Sequence, residues 1–131
     1  MQHQNHPKIS RGRGILLSVY SGGLVLILFT GITSGILVYY GVLNRNVHIG
    51  LGVFVISMAI LYHILNSSIS SLNLLSVLLL IGTLWSGFSN IESKKGSNLH
   101  IVASVLAVVV SAFTCIVNLR YYIRQLYGGK G

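Results

Sequence analysis

Acidic side chains are almost missing from this chain: in 131 residues Glu92 is the only one, against nine Lys and Arg. Charged residues of either sign make up 8% and hydrophobic ones 53%. So few charges cannot cover a soluble domain of this length, and the composition is that of an integral membrane protein. No apolar run holds a carboxylate to carry a proton or bind a cation, which argues against a small multidrug-type transporter. A single cysteine, Cys115, excludes an intramolecular disulfide. The single proline, Pro7, precedes every apolar run and interrupts none. A net charge of +8 would suggest nucleic acid in a soluble protein. Here the basic residues flank apolar runs, where they act as interface anchors and topology signals, so no nucleic-acid partner is expected.

Four segments are long enough to cross a bilayer: about residues 15–41, 47–66, 72–90 and 99–122. "NSSISS" (66–71) and "ESKKGSN" (92–98) read as turns. The polar start, "MQHQNHPKISRGRG", carries His3 and His6, which are expected to be solvated. The apolar run behind it exceeds a signal peptide's core and lacks a small-residue cleavage site, so it reads as a retained span. The expected organisation is a basic N-terminal tail (1–13), a four-helix transmembrane bundle (14–123) and a basic C-terminal tail (124–131). The fold class is all-α, with four antiparallel transmembrane helices. Lys8, Arg11, Arg13, Arg120, Arg124 and Lys130 would share one side, and Arg45, Lys94 and Lys95 the other. That distribution predicts a multi-pass protein of the cell membrane with both termini cytoplasmic.

The chain also repeats itself. Shifted by 52 residues, the separation of His48 from His100, its first half falls on its second without a gap. Ser34-Gly35 meets Ser86-Gly87, "NVHI" (46–49) meets "NLHI" (98–101), and Ile64 and Asn66 meet Ile116 and Asn118. The chain reads as two copies of a helical hairpin.

Because each copy places its second helix after one crossing and one loop, His48 and His100 should lie at equal depth on parallel helices. Two neutral imidazoles facing each other across a bundle form a natural axial pair for a six-coordinate haem iron. Asn46 and Asn98 are expected to cap these helices, putting each histidine in a first turn. A helix N-terminus and the loss of water both favour the neutral, ligating imidazole. Gly35, Gly52 and Gly87 would leave room for a porphyrin, and Arg45, Lys94 and Lys95 would stand near its propionates. Gly31 and Gly35, spaced GxxxG, also suit close helix packing without any cofactor. His63 lies 15 residues after His48, about 22 Å along a helix, a distance at which a second haem could sit. Gly22 and Gly23 would leave room beside it.

At these residues the sequence resembles the four-helix membrane cytochromes b. The resemblance rests on "TGITSGILVYY", on "HIGLGVFVISMAILYHILN" with a histidine near each end, and on "HIVASVLAVVVSAFTCIVN", and it covers about residues 25–122. It implies electron transfer through b-type haem, as a membrane subunit of a respiratory or oxidase complex, with other membrane subunits, lipid, and quinol or a redox protein as partners. Carried over by position, His48 and His100 match the iron ligands of one haem and His63 a ligand of a second, whose other ligand position holds Cys115. No flavin, quinone-site or soluble redox signature is present, so the chain reads as an electron-transfer subunit and not an enzyme by itself. The competing expectation is a haem-free structural subunit of a larger membrane complex.

Overall fold

In lipid a backbone satisfies its own polar groups only as a helix or a closed barrel, and long apolar runs without proline become helices. The computed structural model describes residues 9–89 and 98–128. It holds four helices: α1 (Arg11–Tyr39), α2 (Arg45–Leu65), α3 (Ser71–Ser89) and α4 (Asn98–Tyr127). All four are long and apolar enough to cross a membrane, so the chain is a multi-pass all-α membrane protein, as expected. Each helix packs on its neighbours in chain order and α4 closes the ring against α1, leaving α1 opposite α3 and α2 opposite α4. His3, His6, Glu92, Lys94 and Lys95 lie outside the described residues.

Local chemistry sets the helix ends, and it corrects two expected boundaries. Ser10 caps α1 by accepting the Arg13 N–H at 3.3 Å, so the helix starts at Arg11, inside the expected tail. α4 runs on to Tyr127 because cations such as Arg124 are favourable in a last turn. α1 ends where Gly41 takes φ +72°, a left-handed residue that lets the Val42 N–H reach back to the Leu37 carbonyl at 2.8 Å. The cap of α2 is Asn44 and not Asn46: its Oδ1 accepts the Asn46 N–H at 2.8 Å. Asn98 is the first helical residue of α4 and so does not stand before it as a cap. Both histidines still fall in or next to a first turn.

The polarity of the bundle is inverted relative to a soluble protein. Ser21, Asn73, Ser76, Ser111 and Asn118 are buried, while Leu16, Val19, Leu26, Phe29 and Phe113 are exposed. Lipid is the solvent for that exterior, so interior polar groups and close packing must hold the helices together. Among the described residues no buried side-chain nitrogen or oxygen lacks a partner. Many hydroxyls are satisfied within their own helix, as in Ser18 to the Gly14 carbonyl and Thr114 to the Val110 carbonyl, both at 2.7 Å.

The 52-residue repeat is also a repeat of burial. Ser21, Leu24, Leu28, Ser34, Val55, Ala59, Tyr62, His63 and Asn66 correspond to Asn73, Ser76, Leu80, Ser86, Ala107, Ser111, Thr114, Cys115 and Asn118. All eighteen are buried. The two hairpins therefore contribute equivalent faces to one core.

Candidate functional site

At one end of the bundle the two hairpins make the same contacts. The His48 imidazole lies against α1, with Nδ1 2.7 Å from Ser34 Oγ, and a Cβ added at Gly35 would stand 3.2 Å from its Cε1. The His100 imidazole lies against α3 in the same way, with Nδ1 3.0 Å from Ser86 Oγ and Cε1 3.0 Å from a Cβ at Gly87. The repeated Ser-Gly dipeptide thus has a mechanism: the serine holds the ring and the glycine admits its edge. Gly35 and Gly87 make room for the imidazoles themselves. One turn below Gly35, a Cβ added at Gly31 would stand 3.6 Å from Val55, so the GxxxG pair lines the groove in which α2 lies.

The hydrogen bonds also assign the tautomer of each neutral ring. Ser34 Oγ donates its one proton to the Gly31 carbonyl at 2.7 Å, and Ser86 Oγ donates to the Thr83 carbonyl at 2.9 Å. Each serine oxygen is thus left to accept from its histidine, and at His48 this places the ring proton on Nδ1 and a lone pair on Nε2. This is the arrangement that second-shell partners impose on metal-ligating histidines. His48 Nε2 makes no hydrogen bond among the described residues. The two imidazoles come from opposite helices, α2 and α4. Gly52, one turn beyond His48, shares a stripe with buried Val55 and Ala59, and a Cβ there would meet nothing within 4 Å. Its repeat partner on α4, Ser104, is also small. Arg45 opens α2, three residues before His48.

The other end has lost the symmetry. His63 is fully buried and both of its ring nitrogens are engaged: Nδ1 with Asn73 Oδ1 at 2.9 Å, and Nε2 with Ser111 Oγ at 2.6 Å. The amide carbonyl can only accept, so Nδ1 donates to Asn73 and Nε2 accepts the Ser111 proton. From there the bonds continue. Asn118 Nδ2 donates to Asn73 Oδ1 at 2.8 Å and to Tyr62 OH at 3.2 Å, and Tyr62 OH lies 2.5 Å from Ser21 Oγ. A separate contact joins the Tyr122 hydroxyl to Asn66 Oδ1. Six side chains from all four helices form one chain of hydrogen bonds.

This geometry gives His63 a structural role, since the lone pair an iron would need accepts the Ser111 proton. Cys115 is buried beside Tyr62 and Ser111 as part of the apolar core cluster. A Cβ at Gly22 or Gly23 would meet no atom within 4 Å, whereas the neighbouring Ser21 and Leu24 are buried. Tyr39 and Trp85 are 80% and 75% exposed and point outward. Sequence reasoning missed Ser34, Ser86, Asn73 and Ser111 as partners of histidines. The repeated Ser-Gly was the available signal for the first two; the other pair had none, because its members differ between the copies. Among the described residues no group of three or more His, Cys, Asp or Glu could hold a metal ion, so only a ligand set of two would serve. No family model, curated protein or solved structure matches the chain.

Proposed function

We propose that the chain is a b-type cytochrome subunit of the cell membrane, with one haem held between His48 and His100. One observation carries this reading: two repeat-related histidines on opposite helices, each with Nδ1 held by a serine of its own hairpin. A purely structural histidine has no need of that contact in both copies. A bound haem supplies one-electron redox chemistry through its iron. The chain's part is to present the two Nε2 atoms, to fix the rings through Ser34 and Ser86, and to leave the space beside Gly52 unfilled. Arg45 supplies positive charge near His48 for the propionates. Lacking a soluble redox domain, the subunit would exchange electrons with other membrane subunits of a respiratory or oxidase complex, or with quinol or a redox protein.

The test is an optical spectrum of the protein purified from haem-replete cells. A dithionite-reduced α-band of a low-spin b haem, at one haem per chain, is expected. Its absence would leave the haem-free accessory subunit as the better description. Orientation is tested separately. With both termini cytoplasmic, Ser93→Cys in a Cys115→Ser background reacts with an impermeant thiol reagent in intact cells. Labelling only after lysis would reverse the topology.

A further inference from the structure

At the end of the bundle away from His48 lies a cavity of about 210 Å³, walled by the start of α1, the α2–α3 turn and the last turns of α4. Its wall is of two kinds. Leu17, Leu65 and Ile69 give it an apolar side, and Arg13, Ser68 and Tyr121 a polar one. The Arg13 guanidinium makes no ion pair or hydrogen bond among the described residues, and neither does the Tyr121 hydroxyl. Glu92, the single acidic residue of the sequence, falls between α3 and α4 and outside the described residues, so no acidic side chain stands among the described residues.

From these features we propose that the cavity binds the phosphodiester headgroup of an anionic phospholipid. A guanidinium offers a planar fork of N–H donors that matches phosphate oxygens, and two neighbouring hydroxyls add further donors. The apolar wall accepts the glycerol backbone and the first methylenes of the acyl chains. A soluble anion has no use for that wall. The volume suits a headgroup and not whole chains, which would continue along the exposed Leu16 and Leu65 at the rim. Basic pockets between membrane helices recognise lipid headgroups on this principle. Arg11 and Arg124 lie at the same end without lining the cavity, and they strengthen the local field without making the site. The site is far from the two serine-held histidines and does not depend on a haem.

Native mass spectrometry of the full-length protein in detergent, titrated with phosphatidylglycerol or phosphatidylcholine, tests it. We expect one phosphatidylglycerol per chain, bound about tenfold more tightly than phosphatidylcholine. Arg13→Gln should remove most of that preference, a loss of about five- to tenfold. Arg13→Lys should keep part of it, and Arg11→Gln, the same charge change outside the cavity, should keep nearly all. Equal binding of the two lipids overturns the proposal, and so does an equal loss in Arg11→Gln, which would mean diffuse attraction. Displacement of phosphatidylglycerol by millimolar inorganic phosphate would reassign the cavity to a free anion and also overturn it. Arg13 is exposed and its guanidinium makes no hydrogen bond or ion pair among the described residues, so loss of helicity in Arg13→Gln is not expected. Should it occur, the wild-type comparison of the two lipids still decides.

Discussion

The two ends of this bundle keep the internal repeat to different degrees. At the His48 and His100 end, both hairpins keep serine, glycine and histidine in the same contacts. At the His63 end the corresponding positions have diverged: His63 faces the register of Cys115, Tyr62 that of Thr114, Ala59 that of Ser111 and Ser21 that of Asn73. Symmetry persists where a function needs the same group twice, as an axial pair would. Where the only demand is a satisfied and well-packed interior, each copy can supply a different half of one network. His63 from one hairpin then bonds Asn73 and Ser111 from the other. The lower end ties the two hairpins together, and the upper end leaves each hairpin to hold its own histidine.

The most severe way to break this contrast is to remove a ligand. His48→Ala or His100→Ala should abolish the low-spin haem spectrum altogether, with helicity retained. An unchanged spectrum in both variants would eliminate the proposed axial pair. His63→Leu should do the reverse. Haem content stays at one per chain, while Asn73 and Ser111 lose their partner in a dry core. The expected loss is about 2–3 kcal/mol of resistance to unfolding in detergent, and a fall in haem stoichiometry would restore His63 as a ligand.

Much of this was legible in the sequence, and the parts that were not share a cause. Four spans, their antiparallel order and the repeat follow from hydropathy and from matched residues at one offset. Sequence gives apolar runs their length but not their interior face, because every face of these helices is rich in Leu, Val and Ile. Gly22 and Gly23 were therefore placed beside His63, although a Cβ on either would meet no atom within 4 Å. Asn46 was read as the cap because it precedes the histidine motif, although Asn44 has the reach to the free N–H two residues on. The network around His63 was illegible for a different reason: a histidine's partners, here Asn73 and Ser111, come from distant helices.

Smaller changes sharpen the comparison. Ser34→Ala and Ser86→Ala should each weaken haem affinity about tenfold, and by similar amounts, since the two contacts are equivalent. A large inequality would mean that the upper end is less symmetric than its geometry. The finest test uses the glycines. Gly87→Ala places a Cβ 3.0 Å from the imidazole and Gly35→Ala one at 3.2 Å, so the first should shift the haem spectrum more than the second. Gly52→Ala meets no protein atom and should raise apoprotein stability by up to about 1 kcal/mol, as Gly-to-Ala changes in helices do. If haem occupies that space, the same variant must bind it less well. Gain in the apoprotein with loss in the holoprotein is a signature that packing alone cannot produce.

The inverted polarity of the bundle has a calorimetric consequence. Unfolding a soluble domain raises the heat capacity because apolar surface becomes hydrated. Here the large apolar side chains already face lipid, and separating the helices within a bilayer would uncover mainly Ser, Thr, Asn, Tyr and His. The heat-capacity change of helix dissociation should be small, and the stability curve nearly straight with temperature. Cold, which weakens hydrophobic cores, would leave this interior intact.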